Sequence, residues 1–596
     1  MASARAEYGA RRDQRRARVG EIEALERRLS NARLAVFAAG LALVFAAWLL
    51  ELSSAWLLVP AVAFVVLVVV HDRARRRGDR ARRAEAHYAA GLARLDGTWP
   101  GTGNLRDDFA GRDHPYAADL DLFGRGSLFE RICTARTGAG VDTLARWLLA
   151  PAAVDTVRAR QRAVDDLRMR IDLREDLALA GEALQGEVDP QVLVAWGERR
   201  ALVDDRTAAR MRVVAWALAV ANVAALFAWI VDWTDALPLA VTALVTWVAS
   251  RFDRHFTTEV GIAIERPSRE LAIVAAVLAR LEREHFDAPR LVELRTELVH
   301  GPSAASTTIA QLVRRAEWFE AHKGQLFAPV AFLLRWSVLF GLAVEAWRRA
   351  HGRSIARWFA ALGELEALCS LAAYAYERAG DPFPELVDGA PMIVGEAIGH
   401  PLLPADTCVR NPLRLDDTRR ALVVSGSNMA GKSTYLRTIG VNVVLALAGA
   451  PVCAESLRLA PLRIGATLRV QDSLQDGTSR FFAEITRLRR VMDIADEGPG
   501  LLFLLDEILH GTNSHDRRIG AEAIVRNLLD RGAIGLVTTH DLALAVVTDD
   551  LPVHVDNVHF ADRIVDGRLH FDYRLAPGMV RTSNALALMR AVGLRV

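Results

Sequence analysis

Residues 421–434 read ALVVSGSNMAGKST, and the reading of this stretch decides the fold of the C-terminal part of the chain. A short apolar run, Ala421 to Val424, leads into Gly426, four intervening residues and then Gly431-Lys432-Ser433. A helical pattern follows from Thr434 to Leu447. This is a phosphate-binding loop in the strand–loop–helix setting that its mechanism requires. Glycines let successive backbone N–H groups wrap phosphate oxygens, and the helix start adds a favourable dipole. The expected ATP-binding segment is therefore Gly426, Ser427, Asn428, Met429, Ala430, Gly431, Lys432, Ser433 and Thr434. Lys432 would reach the β- and γ-phosphates, and Ser433 would ligate Mg²⁺. A mere Gly-rich turn before a helix has no need of lysine. Yet of 74 basic residues only Lys323 and Lys432 are lysines, and one of them falls where the loop requires it. Lys323 has no comparable setting and reads as a surface residue.

Two further strand ends complete a site. Leu501 to Leu505 is an apolar run bounded by Pro499-Gly500, as expected of a parallel strand buried on both faces, and it ends in Asp506-Glu507. Asp506 would hold Mg²⁺ through water, and Glu507 would polarise the attacking water. A third run, Ala533 to Val537, ends in Thr538-Thr539-His540. A lone histidine is more often a packing or surface residue, but at this third strand end His540 reads as a γ-phosphate sensor. The expected catalytic pair is Glu507 and His540, with ATP and Mg²⁺ as ligand and cofactor.

The words between these sites resemble the MutS mismatch-repair family of ABC-type ATPases. The resemblance rests on SGSNMAGKSTYLRT (425–438), DGTSRFFAEITRL (476–488), LLDEILHGTNSHD (504–516) and TTHD (538–541). It implies that Ser479 reaches the nucleotide of the opposite protomer, with Phe481 and Glu484 in register, and that Gly511, Thr512 and Ser514 lie at an ATPase dimer interface. A homodimer with composite ATP sites is thus expected. Farther upstream, His114-Pro115, Leu122-Phe123, Ser127-Leu128-Phe129 and Trp147 to Pro151 resemble the start of the family's helical core, and 306–380 its end. The chain departs from the family in having no counterpart of its mismatch-reading and connector domains. Cys408 stands where the family stacks an aromatic on adenine, three residues before Asn411. Leu509-His510 replaces Gly-Arg, and Ser583-Asn584-Ala585 replaces Ser-aromatic-Gly.

The N-terminal half has a different character. Residues 34–50 (LAVFAAGLALVFAAWLL) and 55–70 (AWLLVPAVAFVVLVVV) flank a short turn. The nine Leu, Val and Phe residues of the first run favour insertion by about 3 to 5 kcal/mol. Arg27, Arg28 and Arg33 precede this hairpin, and Arg73, Arg75, Arg76, Arg77, Arg80, Arg82 and Arg83 follow it, which places both ends in the cytoplasm. A second pair, 213–231 and 237–249, has an acidic turn and flanking arginines; its second segment, shortened by Pro238, is the weakest candidate span. Asn222 inside it reads as helix–helix glue. A fifth apolar stretch, 326–346, carries Arg335 at its centre, and a fifth span would put the ATPase outside the cytoplasm, so it reads as a buried helix of the soluble part. The chain has 596 residues, 52% hydrophobic and 24% charged, and a mean hydropathy of +0.15. That pairing is what membrane hairpins joined to a charged cytoplasmic remainder produce. Four scattered cysteines without a Cys-x-x-Cys pair argue against a disulfide framework or a cysteine zinc site.

The expected architecture is α plus α/β: a basic helix (1–33), a transmembrane hairpin (34–70), a juxtamembrane segment with the first part of a MutS-like all-helical core (71–210), a second hairpin (211–250), the rest of the core (251–385) and an ABC-type P-loop ATPase domain (386–596). The expected location is the cytoplasmic membrane, multi-pass, with the ATPase in the cytoplasm. DNA binding, to mismatched or structured DNA, is implied by the resemblance alone, because a net charge of +2 offers no overall basic field. The alternative is a membrane-associated ATP-driven scaffold or regulator acting on a protein partner, with no DNA role.

Overall fold

The computed structural model describes residues 2–50, 53–109, 111, 114–182, 190–264, 267–299, 304–325, 327–427, 429–468, 480–509, 512–540, 555–565 and 568–579. The chain divides into two compact units, each assembled from separated segments: 1–133, 145–169 and 371–596 form the first, and 134–144 with 170–370 the second.

Among the described residues the strands all lie in the first unit: β1 (Glu385–Leu386), β2 (Ile393–Ile398), β3 (Asn411–Leu415), β4 (Ala421–Ser425), β5 (Ser456–Leu459), β6 (Arg463–Thr467), β7 (Leu501–Asp506), β8 (Ile534–Thr539), β9 (Val555–Val565) and β10 (Arg568–Pro577). They form a four-stranded sheet, β1-β5-β2-β3, and a six-stranded sheet, β10-β9-β4-β8-β7-β6. The runs expected as buried strands are β4, β7 and β8, and their residues are buried almost throughout. With no polar face to alternate, each needs cover on both sides, which parallel pairing with crossover helices supplies. The pairings of β4 with β8 and of β8 with β7 are parallel and set Val424 level with Thr538, and Thr538 level with Asp506. Three strand ends therefore reach one edge of the sheet.

The first apolar hairpin also belongs to this unit. Helices Ala2–Leu50 and Leu58–Asp96 pair along their length. The boundaries drawn from composition at 33/34 and 70/71 fall inside these unbroken helices, because helical hydrogen bonding is indifferent to a change from charged to apolar side chains. At the polar end Tyr8 packs on Tyr88 and Tyr376, with ring centroids 5.7 and 5.6 Å apart. Gly91 makes the room, since a Cβ there would lie 2.7 Å from the Tyr8 ring. Below this contact Arg94 grips Glu377 with Nε and Nη2 at 2.9 and 2.6 Å, and Arg131 Nη1 reaches the same carboxylate at 2.7 Å. Glu377 is wholly buried. Burial alone would push its carboxyl up, but Arg94 and Arg131 bring it below the ordinary glutamate value. The stretch 114–133, expected at the start of the helical core, lies in this unit too. Pro115 carbonyl accepts from Ala466 N, and Asp119 accepts from Leu468 N and Arg487.

The second unit is helical. It contains the second hairpin, Asp205–Ile230 and Leu237–Ile264. Asn222, fully buried, donates to Thr246 Oγ1 at 2.8 Å and to Leu333 carbonyl at 2.9 Å, which is the expected interhelical bond plus one to a third element. That element corrects the single helix expected over 326–346. It is broken into Ala328–Leu333 and Trp336–His351, with Arg335 at the break in a left-handed conformation (φ 54°). The cause is the arginine, which turns inward to pair with Asp253 and the Thr246 carbonyl. Among the described residues two helices, Ala2–Leu50 and Asp205–Ile230, have a stretch long and apolar enough to cross a membrane. The partner helix of each meets charge sooner, at Asp72 and at Arg251.

Removing Glu377 strands two buried arginines. Glu377→Ala should cost about 3 to 5 kcal/mol of stability in denaturant unfolding at pH 7. Because the folded carboxyl titrates below its unfolded value, this contribution is present above pH ~4.5 and is lost as pH falls further. An unchanged unfolding midpoint would refute the role given to this triad.

Candidate functional site: a nucleotide-binding cavity at the sheet edge

A cavity of about 570 Å³ opens where β4, β8 and β7 end. Its floor is the loop after β4. Gly426 (φ 149°) and Gly431 (φ 101°) occupy left-handed backbone, and a Cβ on Gly426 would meet Phe560 carbonyl at 3.0 Å. The helix Lys432–Ala448 starts here, so its unpaired N–H groups face the cavity. Lys432 is nearly buried and donates from Nζ to Gly426 and Ser427 carbonyls at 2.8 and 3.1 Å, while Glu507 Oε1 lies 3.2 Å away. Among the described residues Ser427 Oγ is buried without a hydrogen-bond partner. An orphaned donor beside a glycine cradle and a buried ammonium suits the phosphate oxygens expected here. Ser433 and Asp506 both line the cavity and are the residues that would hold Mg²⁺, a hard cation that takes oxygen ligands and keeps waters.

The carboxylates are held tightly. Thr538 Oγ1 donates to Asp506 Oδ1 and accepts the Glu507 N–H at 3.0 Å. His540 Nδ1 lies 3.4 Å from Glu507 Oε1, so the expected sensor does sit beside the expected base. Asn428 and Ser479, together with His510, Gly511 and 583–585, lie outside the described residues.

The other end of the cavity is where a nucleobase would lie. Ile398, His400, Thr407 and Val409 line it. Cys408 does not; its thiol turns toward His400 carbonyl at 3.8 Å. Three aromatic side chains line the cavity, Tyr435, Phe560 and Tyr573, and the last is unmarked in the sequence. Tyr573 sits in a bulge of β10 (φ 55°), and its ring lies 3.1 Å from where a Cβ on Gly431 would stand. Asn411 fixes that bulge, donating to Tyr573 carbonyl at 3.0 Å and accepting from Leu575 N at 2.8 Å. A bulge re-aims one side chain, and no local pattern in 568–577 marks it; the only hint was Asn411 itself. Burial, aided by Arg437, pushes the His400 imidazole down to about 4, so it is neutral near pH 7.

Glycine loop, buried lysine, acidic strand end and helix N-terminus together define a P-loop nucleotide-binding domain. Residues 422–595 match the family described as MutS domain V. The chain is 37% identical over 224 residues to the DNA mismatch repair protein MutS of Exiguobacterium sp., covering 36% of this chain and 26% of that protein. It is 34% identical over 203 residues to Endonuclease MutS2 of Thermus thermophilus (33% and 25% covered), and 34% over 238 residues to DNA mismatch repair protein MutS 2 of Halobacterium salinarum (39% and 27%). Each match thus spans about a quarter of the relative's length. This C-terminal domain belongs to the MutS family, as its motifs implied.

Tyr573→Ala should weaken ATP binding by about tenfold, a loss on the scale of one aromatic contact, and should narrow any preference for ATP over other nucleoside triphosphates. Calorimetric titration with the four triphosphates checks it; unchanged affinities would remove Tyr573 from the base site. Separately, the depressed pKa means that His400 contributes stability above pH ~6.5 that is lost as pH falls toward 4. His400→Asn should therefore lessen the fall in unfolding midpoint between pH 7 and pH 5, and an equal fall in both proteins would contradict it.

Proposed function

We propose that the chain is a membrane-anchored MutS-type ATPase acting as a homodimer with composite ATP sites. The observation that carries this reading is the convergence of Lys432, Ser433, Asp506 and Glu507 on one cavity, with His540 Nδ1 3.4 Å from the Glu507 carboxylate. Gly426 to Thr434 bind the triphosphate through backbone N–H groups and Lys432. Mg²⁺, held by Ser433 and Asp506, would neutralise phosphate charge. Glu507 accepts hydrogen bonds from the attacking water and orients it toward the γ-phosphate, and His540 bears on the same carboxylate and on the phosphate end. The Tyr573 ring takes the base. By family resemblance Ser479 of one protomer completes the site of the other, so ATP binding favours the closed dimer and hydrolysis releases it. In this reading the Arg94–Glu377–Arg131 cluster ties the first hairpin to the rest of the unit that carries the ATPase site.

Membrane anchoring rests on the exposed apolar faces. Phe37, Phe45 and Trp48 in the first hairpin, and Val213, Trp216 and Phe227 in the second, are exposed in the folded chain. Arginines flank both hairpins on the side read as cytoplasmic, where anionic headgroups attract them. The names of the MutS relatives point to DNA as the output. The alternative, an ATP-driven scaffold or regulator for a protein partner, is favoured by the balanced charge and by the crowding of arginines beside the hairpins, since phosphate-backbone binding needs a basic surface of its own.

Glu507→Gln in detergent should lower kcat for ATP hydrolysis by at least about a hundredfold; hydrolysis at the wild-type rate would remove the catalytic assignment. Alkaline carbonate should leave the protein in the membrane pellet, and release to the supernatant would sink the anchoring. Salt-titrated binding to homoduplex, mismatched and branched DNA, with and without ATP, decides between the two outputs. Tight, structure-selective, ATP-dependent binding supports the DNA reading, whereas weak binding to all three supports the protein-partner reading.

A further inference from the structure

The turn that carries Glu507 is strained in a way its own sequence does not relieve. Glu507 (φ 47°) and Leu509 (φ 60°) both occupy the left-handed region, where a Cβ crowds the following carbonyl. Neither is glycine or asparagine. Such backbone persists only where its surroundings hold it, and at a site it points to a mechanical purpose.

Two buried side chains do the holding, from opposite sides. Thr538, at the end of the neighbouring strand β8, has one hydroxyl proton, and it goes to Asp506 Oδ1. Thr538 Oγ1 itself accepts the Glu507 N–H at 3.0 Å, which the Thr538 carbonyl shares at 3.3 Å. The hydroxyl therefore touches both the carboxylate proposed for Mg²⁺ and the backbone from which the proposed base projects. On the other side, Glu484 Oε1 accepts the N–H of Leu509. Glu484 is buried on helix Arg480–Asp496, which packs along β6 and β7. Asp119 in turn anchors that helix at Arg487, 3.1 Å away, and ties in the end of β6 through Leu468 N at 2.8 Å.

We propose that Thr538 and Glu484 are positioning residues for Glu507, clamping the Asp506–Leu509 turn in its left-handed form so that the carboxylate meets the attacking water. This rests on the catalytic reading of Glu507 given above.

The test is steady-state hydrolysis together with nucleotide affinity in the full-length protein, using variants chosen to keep or delete the bonds. Thr538→Val and Glu484→Leu delete the side-chain bonds; Thr538→Ser and Glu484→Gln keep a side-chain acceptor for the same N–H. The deletions should lower kcat by between about tenfold and a hundredfold, as a small misplacement of a reacting group does, with the Kd for ATP changed less than about twofold. The serine and glutamine variants should recover most of kcat. Should a deletion variant not fold, Thr538→Ala and Glu484→Asp, which remove or shorten the contact without added bulk, carry the same prediction. Wild-type kcat in folded deletion variants, or equal losses in kcat and affinity that the conservative variants do not rescue, overturns the proposal. Glu507→Gln run alongside separates the two levels. If that change leaves hydrolysis intact the catalytic reading fails; if it abolishes hydrolysis while the clamp variants stay active, only the clamp fails.

Discussion

Parallel pairing of β4 with β8 and of β8 with β7 is the constraint on which the rest depends. It levels Val424, Thr538 and Asp506 at one edge of the sheet, on three strands that are buried on both faces. Polar residues follow each apolar run where it leaves the sheet, so the glycine loop after β4 and the carboxylates ending β7 meet at one cavity, with Thr538 of β8 between them. The phosphate loop, the two carboxylates and His540 are consequences of that register. A slip of one residue in β7 would turn Asp506 to the opposite face and dissolve the site while leaving the hydrophobic pattern intact.

Around this edge the chain is tied together by buried polar groups more than by sequence neighbours. Asp119 links an N-terminal loop to β6 and to helix Arg480–Asp496. Glu377 joins Arg94 of the first hairpin to Arg131. Leu120 lies against Gly440 of the phosphate-loop helix, where a Cβ would come within 2.5 Å of it. Each is a long-range contact between segments hundreds of residues apart in sequence, and each places N-terminal residues in the same compact unit as the nucleotide-binding domain. In the second unit Arg335 and Asn222 play the comparable part, bonding helices whose outward faces are apolar.

Much of the site was legible in advance because its chemistry is local. A glycine loop between a buried strand and a helix, a lysine in a chain that otherwise uses arginine, and carboxylates at the end of an apolar run are all signals carried by neighbours. Lys432, Ser433, Asp506, Glu507 and His540 were found that way, and the structure brings them together. What escaped depends on distant segments. Tyr573 reaches the cavity from the edge strand β10, through a bulge fixed by Asn411 of another sheet. The break at Arg335 exists because Asp253 waits for it on another helix. Composition likewise located the apolar hairpins but not the helices, since Ala2–Leu50 and Leu58–Asp96 run through the polarity boundaries unbroken. The segment 114–133 matched the wording of a helical core and packs instead against the nucleotide-binding domain, as Pro115 and Asp119 record.

The central claim is that the loop from Gly426 to Thr434 binds a nucleoside triphosphate through its backbone and Lys432. The most direct measurement is the stoichiometry and affinity of Mg²⁺–ATP binding to the purified full-length protein, compared with Lys432→Met. The account predicts saturable binding of one ATP per chain and a loss of affinity of about tenfold or more in the variant, as expected on removing a charged partner of phosphate. Equal affinity in the two proteins, or no saturable binding by wild type, would contradict it.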